Sequence, residues 1–285
     1  MVSSEEKVIW FYEHSKMAEW WKADQTNAFH FGFYEKGFRT HFEAILHMND
    51  VAWELLGLDG TKSLHVLDAG CGIGGTSIYL AKKYPSINFT GISIVPSEIQ
   101  RAEELAIHNK VEENTRFLVN NFCATTFSDE RFDGIIALES LNYARETNIA
   151  IKEFYRVLKP GGRLVILDGF RLKDKLSPMM ERAYNHWLSG RAIDDLMSIK
   201  DCVKELTKQK FKQISPQDIS PHIAASEIRG VVVGLPFFFS VLAKSIMSLN
   251  RYTRLDDDYY MGVSFCGGLL AMSGSTKYYA VTATK

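Results

Sequence analysis

The segment that most constrains the fold runs from Leu64 to Gly75, with the sequence LHVLDAGCGIGG. It predicts a short apolar strand that ends at Asp68, then a glycine-rich turn that opens into a helix from Thr76. Glycine lets the backbone approach a ligand where a Cβ atom would collide. The first N–H groups of the new helix lack helical partners and favour an anionic group. The pattern therefore predicts an α/β fold that binds a nucleotide-like ligand at this turn.

The glycine pattern by itself admits two other nucleotide sites, and the neighbouring residues argue against both. A match to the dinucleotide pattern G-x-G-x-x-G is present from Gly70 to Gly75, but a lone match is weak. A dinucleotide site also needs an acidic residue at the end of the second strand. The strand predicted at 87–92 runs into Ser93, and the nearest carboxylate is Glu98. The chain has no G-x-x-x-x-G-K-[ST] motif, which argues against a phosphate-loop NTPase.

The chain as a whole predicts a parallel sheet with helices on both faces, because strands alternate with helical stretches. The first five strands are predicted at 64–68, 87–92, 115–119, 133–138 and 163–168. A turn at Pro160-Gly161-Gly162 leads into the fifth strand. Beyond Asp168, helical regions are predicted at 177–209 and 222–250, a strand near 211–215 and a final strand at 277–284.

Five segments, taken in order, resemble the motifs of class I S-adenosylmethionine (SAM)-dependent methyltransferases. They are Val66–Gly75, Gly91–Glu98, Arg131–Ile136, Glu139-Ser140 and Glu153–Gly162. One glycine loop would be weak evidence, whereas ordered motifs over about 63–168 are specific. The resemblance implies an enzyme that uses SAM and releases S-adenosylhomocysteine.

The same resemblance implies a Rossmann-like α/β fold with a mostly parallel sheet whose last strand is antiparallel. It implies a helical N-terminal lid at 1–60 and a SAM-binding core at 61–218. A helical cap at 219–276 is inserted before the final strand at 277–285. Open α/β sheets bind ligands at the carboxyl edge of their strands. We therefore expect the lid and the cap to enclose the site at that edge.

The residues that the resemblance implies for SAM follow the first four strands. They are Asp68, Gly70, Cys71, Gly72, Gly74, Ser93, Ile94, Glu98, Asn121, Phe122 and Leu138. Asp68 would contact the ammonium group of SAM, or else cap nearby backbone N–H groups. Glu98 would bind the ribose hydroxyls in place of the family's glutamine, or else lie on a surface helix. Asn121 would accept from the adenine amino group, with Phe122 stacked on adenine or packed in the core.

Glu139 and Tyr143 are the catalytic candidates, because they follow the fourth strand, which in this family points at the sulfonium. Carboxylates are rarely buried without a partner. Three interpretations stay open for Glu139: a neighbour of the SAM cation, a general base for the acceptor, or a hydrogen-bonded structural acid. The pattern Glu-Ser-x-x-Tyr resembles terpenoid C-methyltransferases, in which the acid is expected to remove a proton after methyl addition to an alkene. Tyr143 would be its neighbour.

The acceptor residues come from the lid and the cap, and they favour a lipophilic molecule. His30–Tyr34 lies where sterol and prenyl methyltransferases have a His-Tyr-Gly motif, so Phe31 would face the transferred methyl group. Tyr34 would replace the missing hydroxyl, and Tyr12 is a lid candidate. Other pocket aromatics would be Trp20, Trp21, Phe33 and Phe237–Phe239. The apolar run at 230–243 is too short to span a bilayer; it predicts a buried cap helix, a pocket wall or a surface that touches membrane lipid.

Charge and cysteine content exclude several other functions. A net charge of -1 offers no electrostatic footprint for nucleic acid, and four scattered cysteines predict reduced thiols in a cytoplasmic protein. No metal-binding pattern is expected, since Asp194-Asp195 and Asp256–Asp258 are interpreted as solvated loop acids. The predicted function is methyl transfer to a small isoprenoid or lipid-like acceptor. The alternatives are O- or N-methylation of a polar small molecule and a non-catalytic SAM-binding partner protein.

Overall fold

The computed structural model describes residues 3–14, 26–37, 40–172, 175–247 and 257–285. Its strands are β1 Leu64–Ala69, β2 Ile87–Ser93, β3 Thr115–Val119, β4 Phe132–Leu138, β5 Leu158–Arg171, β6 Lys212–Asp218 and β7 Thr276–Thr284. They form one sheet in the order β3-β2-β1-β4-β5-β7-β6. The first five strands pair in parallel, and β7 runs antiparallel to both β5 and β6. This arrangement confirms the predicted fold class.

The prediction of a turn at Pro160-Gly161-Gly162 is wrong, because β5 begins at Leu158 and continues through it. The pairing of β4 with β5 shifts register between Phe132 and Gly134, so the extra residues form a bulge within the strand. Gly161 has a positive φ of 79°, which a glycine adopts without strain. Its N–H donates to the carbonyl of Lys285, 3.0 Å away, which keeps the bulge in the sheet.

The helices are α1 Ser4–His14, α2 His41–Leu56, α3 Gly75–Lys83, α4 Pro96–Asn109, α5 Thr147–Val157, α6 Pro178–Ser189, α7 Ile199–Lys208, α8 Ser220–Met247 and α9 Asp257–Met272. The helical region predicted at 177–209 is therefore two helices, separated at 190–198. A short 3₁₀ turn covers Leu141–Tyr143, directly after β4. Within the described residues, no helix is both long enough and apolar enough to cross a membrane.

The sheet is buried on both faces because successive strand residues point to opposite sides. Val66 packs with Met48 and Leu56 of α2 in one hydrophobic cluster. The next residue, Leu67, packs in the other cluster with Phe154 of α5 and Leu206 of α7. Helix α2 thus belongs to the packed core, although it falls within the segment assigned to the lid. Thr40 caps its start with a capping box, which fixes where the helix begins.

Candidate active site

Two adjoining cavities lie at the carboxyl edge of the parallel strands. The smaller one, which we call the turn cavity, has a volume of about 270 Å³ and is lined by the glycine turn and α1. The larger one, which we call the cap cavity, has a volume of about 460 Å³ and is lined by α8, α9 and β7. Four residues line both cavities: Phe29, His30, Glu139 and Tyr143.

The glycine turn brings three parts of the chain into close contact. Gly70 has a positive φ of 87°, and a Cβ atom there would lie 2.4 Å from Cβ of Ser140. Gly75 lies so close to Asn27 that an added Cβ would be 2.3 Å from that carbonyl oxygen. The N–H groups of Gly70 and Cys71 both donate to the carbonyl of Ile92 at 2.9 Å. Glycine is therefore required here for backbone packing around the cavity as well as for approach to a ligand.

Asp68 and Glu98 are two of the acidic residues that line the turn cavity; both are buried, and each accepts from a serine. Asp68 accepts from the Ser77 hydroxyl at 2.7 Å, which ties the end of β1 to the first turn of α3. Burial raises the pKa of Asp68 to about 6. Glu98 accepts from the Ser93 hydroxyl at 2.7 Å and is 3% exposed, so it lies on the buried face of α4. Both residues line the cavity, which places carboxylates at the ends of β1 and β2.

Helix α1 covers the turn cavity and contacts its far wall. The Asn121 side chain donates to a carboxylate oxygen of Glu5 at 2.7 Å, while its own oxygen accepts from the Cys123 N–H at 2.8 Å. A second lone pair on that amide oxygen remains available to a ligand. Phe122 lies beside it on the same wall. The two residues predicted for adenine therefore lie together on one wall, next to Glu5 of α1.

The turn cavity brings together nearly all of the residues predicted for it. These are Asp68, Gly70, Cys71, Gly72, Ser93, Ile94, Glu98, Asn121, Phe122, Leu138, Glu139, Tyr143 and Tyr12. Gly74 does not line it. Its φ is 84°, and an added Cβ would lie 2.8 Å from the Phe117 ring. Gly74 thus shapes the start of α3 instead of meeting a ligand.

Glu139 occupies the junction between the two cavities. Its Oε1 accepts from the Phe31 N–H at 2.6 Å and from the Tyr278 hydroxyl at 2.9 Å. Of the residues that the structure describes, none donates a hydrogen bond to Oε2. Glu139 also has a positive φ of 50°, which costs a non-glycine residue about 1–3 kcal/mol. The fold therefore holds this carboxyl group in a strained, fixed position with one oxygen directed by two donors.

The protonation of Glu139 is set mainly by its burial. Burial raises its pKa to about 8, against the lowering effect of the Phe31 N–H, and the nearby charge of Asp168 raises it further. The Tyr278 hydroxyl and the charge of Arg191 act in the opposite direction. A carboxyl group with this pKa exchanges protons near neutral pH, as a general acid or base requires.

Tyr143 and Tyr12 form a pair that closes α1 onto the core. Their hydroxyl oxygens are 2.8 Å apart, and the two rings meet edge to face at 5.7 Å. Burial raises the pKa of Tyr143 to about 12, so it stays protonated at neutral pH. Tyr143 is therefore a hydrogen-bonding wall of both cavities and a point of attachment for the lid.

Only some of the residues predicted to bind the acceptor line the cap cavity. Phe31 lines the cap cavity and meets the Tyr278 ring at 6.0 Å. Tyr34 and Phe237 line neither cavity. The Tyr34 hydroxyl is instead 2.7 Å from Nδ1 of His41, which does line the cap cavity. Trp20 and Trp21 lie outside the described residues.

Several residues of the cap cavity were not anticipated from the sequence. They are Asp168 near the end of β5, Asn142 after β4, Tyr278 on β7, Trp187 on α6, Arg191 just after α6, and Glu227 and Arg229 on α8. Asp168 is 6% exposed and accepts from the Gly169 N–H at 2.8 Å. Its position at the carboxyl end of a parallel strand was the one available signal. The others are separated in sequence and carry no local pattern.

The segment 26–37 forms a wall of both cavities and contacts each surrounding element. It meets the glycine turn through Asn27 and holds Glu139 through the Phe31 N–H. Further along, the Gly32 N–H donates to the Ser226 hydroxyl at 2.9 Å, and the Tyr34 N–H donates to a carbonyl of α8 at 2.8 Å. One extended segment thus connects the turn, the carboxyl group at the junction and the cap.

The described residues contain no group of three or more His, Cys, Asp or Glu side chains that could hold a metal ion. Asp195 accepts from the Tyr184 hydroxyl at 2.5 Å. Asp194 accepts from the Ser4 hydroxyl and lies 3.6 Å from the Lys7 ammonium. Asp194 therefore anchors α1 through side-chain contacts. Asp256, from the second acidic run, lies outside the described residues.

Comparison with known proteins gives a consistent result. A family model described as a methyltransferase domain matches residues 60–217, more than half of the chain. The chain is 25% identical over 267 residues to norajmaline N-methyltransferase of Rauvolfia serpentina, covering 90% of this chain and 87% of that one. It is 32% identical over 194 residues to a sterol 24-C-methyltransferase of Neurospora crassa, covering 67% of this chain and 50% of that one.

A solved structure matches over the whole length. The cyclopropane synthase MmaA2 from Mycobacterium tuberculosis superimposes with a TM-score of 0.79 at 17% identity, covering 100% of this chain and 99% of that one. At this identity the likeness establishes the fold alone and leaves the acceptor to be argued from the site.

Proposed function

The chain belongs to the class I SAM-dependent methyltransferases, and we propose that it methylates a small lipophilic acceptor bound in the cap cavity, with Glu139 as the general base. SAM, when bound, supplies a methyl group already activated by its sulfonium. The protein then has to hold the acceptor, exclude water and accept a proton where the acceptor releases one. The observation that carries the proposal is the position of Glu139 on the shared wall of both cavities.

The turn cavity fits the chemical groups of SAM. Helix α3 begins without a side-chain cap, and its residues Gly75 and Thr76 line the cavity, so their N–H groups suit a carboxylate. Glu98 offers carboxylate oxygens to ribose hydroxyls. Asn121 and Phe122 offer an acceptor and an aromatic face to adenine.

The fixed geometry of Glu139 supports the role of base. Two donors converge on Oε1, so the carboxyl group is oriented while Oε2 remains able to take a proton from the acceptor. The Tyr278 hydroxyl and the Phe31 N–H stabilise the ionised form by hydrogen bonding. A cation next to Glu139 further favours ionisation, which would bring the raised pKa back toward neutrality.

The walls of the cap cavity support a lipophilic acceptor. Phe29, Phe31, Trp187 and Tyr278 contribute aromatic surface, and Ile193, Leu196, Val233 and Leu270 contribute aliphatic surface. Two relatives are named for small molecules, norajmaline and a sterol, which supports an acceptor of that size class. Cavities with mainly apolar walls and a few polar groups are typical of small-molecule sites.

The test uses SAM with a labelled methyl group, the purified full chain and a cell extract. We expect label to enter the organic-soluble fraction. Label confined to the aqueous or macromolecular fraction would contradict a lipophilic acceptor. Tight SAM binding without transfer to any fraction would favour a non-catalytic partner protein.

The role of Glu139 is tested by Glu139→Gln, with the exposed Glu103→Gln on α4 as the matched control. We expect transfer to fall about 10²–10⁴-fold while SAM affinity changes little, because a general base contributes about that much. An equal loss of SAM affinity and turnover would instead identify Glu139 as a neighbour of the cofactor cation.

A further inference from the structure

Glu227 on α8 is a carboxyl group in the cap cavity that the proposed chemistry does not use. It lines the cavity beside Ser226 and Gly230. No hydrogen bond or ion pair reaches its side chain from the part of the chain that the structure describes. Burial alone raises its pKa to about 7. Glu227 is half-buried, and a carboxylate withdrawn from water without a partner is costly, so the cavity favours a ligand that provides one.

The two other carboxyl groups of the same cavity already have donors. Glu139 accepts from Phe31 and Tyr278, and Asp168 accepts from the N–H groups of Gly169 and Asn142 at 2.8 and 3.4 Å. Both are therefore held by the fold. Glu227 differs because its position in the cavity comes from α8 alone.

The cationic side chains of the cavity do not neutralise Glu227. Lys277 forms its ion pair with Asp218. Arg229 is exposed. The charge of Arg191 acts on Glu139 and Tyr143, whose pKa values it lowers. None of these cations lowers the pKa of Glu227. Among the residues that the structure describes, Glu227 is thus a negative group of the cavity without a positive partner.

Aromatic rings lie on the remaining walls, and their faces attract cations. Trp187 packs against α9, where a Cβ added to Gly267 would lie 2.6 Å from its Nε1 atom. Phe31 and Tyr278 meet edge to face across the cavity wall. A carboxylate together with aromatic faces is the usual environment for an ammonium group.

We propose that Glu227 binds an ammonium group of the acceptor, so that the preferred acceptors are amines with an apolar body. This inference rests on the proposed function, since it specifies the class of molecule that enters the cap cavity. Glu227 is then a specificity-determining residue: it contacts the acceptor and leaves the proton transfer to Glu139. An apolar body accounts for the aromatic and aliphatic walls, and the ammonium group accounts for the carboxylate.

The test measures binding to the full chain in the presence of S-adenosylhomocysteine at pH 8, where Glu227 is ionised and an alkylamine is protonated. The probes are 2-phenylethylamine, 2-phenylethanol and 3-phenylpropanoate, titrated by calorimetry. We expect the amine to bind about tenfold more tightly than the alcohol. Equal affinities, or a preference for the carboxylate, would overturn the proposal.

Two variants assign the preference to Glu227. Glu227→Gln should reduce the amine to the affinity of the alcohol, while the alcohol itself binds within about twofold of wild type. Glu227→Asp, which keeps the charge, should retain part of the preference, and it replaces the glutamine variant if that one does not fold. The control Glu103→Gln should keep the full preference. An amine preference that survives Glu227→Gln contradicts the assignment.

The outcomes separate this inference from the proposed function, because binding is measured without turnover. Label transfer to neutral lipophilic molecules with no amine preference would leave the methyltransferase function standing and remove the role of Glu227. Amine binding without label transfer to any acceptor would support the recognition of ammonium and contradict methyl transfer.

Discussion

The turn cavity and the cap cavity share Glu139 and Tyr143 but are built in different ways. The turn cavity is formed largely by segments that directly follow β1, β2 and β4, with α1 as its cover. The cap cavity collects its walls from the N-terminal segment, the region after β5, the helices α8 and α9, and β7. The first is encoded by short contiguous motifs. The second exists only when distant parts of the chain have packed together.

The difference also concerns charge. Two buried acidic residues of the turn cavity, Asp68 and Glu98, each have a serine donor within the core. The cap cavity contains Glu227, for which the described core provides no donor. A cationic ligand would therefore give Glu227 a partner that the described residues do not provide.

The largest effect on this comparison is expected from Gly70→Ala. The substitution combines a left-handed backbone conformation with a Cβ atom 2.4 Å from Cβ of Ser140. Strain and overpacking of this kind cost about 3 kcal/mol together. We expect that loss in urea unfolding, together with a loss of SAM affinity of more than about tenfold by calorimetry.

The matched control is Gly169→Ala, since Gly169 has no atom within 4 Å of an added Cβ and lines only the cap cavity. Its stability should stay within about 0.5 kcal/mol of wild type and its SAM affinity within about twofold. Similar losses of stability and SAM affinity in the two variants would show that the effect of Gly70→Ala is not specific to the glycine turn.

An intermediate effect is expected for Glu139, which lines both cavities. Replacing it by glutamine should change how the free energy of unfolding depends on pH. The folded protein holds a proton on Glu139 up to a pKa of about 8, whereas the unfolded chain releases it near the ordinary value of 4.5. Binding of this proton contributes its full stabilisation to the folded state below pH 4.5. That contribution is lost as the pH rises through 8. Glutamine does not titrate, so the variant should gain about 3 kcal/mol relative to wild type between pH 5 and pH 8.

This prediction is checked by urea unfolding of both proteins without added SAM. Glu103→Gln, at an exposed position, serves as the control and should follow wild type at both pH values. A constant difference between Glu139→Gln and wild type over this range would show that the carboxyl group is not buried as described.

The smallest effect concerns the attachment of the lid to the turn cavity. Tyr12→Phe and Tyr143→Phe each remove one side of a hydrogen bond of 2.8 Å. A double-mutant cycle should give a coupling of about 1 kcal/mol and faster SAM dissociation. Tyr155→Phe, on a ring that packs against Phe211 away from both cavities, is the control. Zero coupling would contradict a lid held by this contact.

The sequence predicts the turn cavity well because its signals are local. A strand, a glycine turn and a helix start are adjacent in the chain, so Asp68, Gly70 and Glu98 could be identified together. The sequence could not show that Gly74 packs against Phe117 and does not line the turn cavity, because glycine is required both for a positive φ and for close approach to any neighbour.

The cap cavity could be predicted only in outline, because its residues are brought together by tertiary packing. Phe31 was found through a motif resemblance, whereas Tyr278 and Glu227 lie in segments without any motif. The apolar character of the cap helices indicated a lipophilic pocket, but it could not show that Glu227 of α8 lines that pocket. From the sequence alone, an aromatic residue that lines the cavity looks the same as one that does not, such as Phe237.

The extended segment 26–37 couples the binding of SAM in the turn cavity to the binding of the acceptor in the cap cavity. It touches Gly75 at one end, Glu139 in the middle and α8 at the other end. A ligand that orders this segment from one side lowers the entropic cost of ordering it from the other. Such linkage is reciprocal: bound acceptor changes the affinity for SAM by the same factor by which bound SAM changes the affinity for the acceptor.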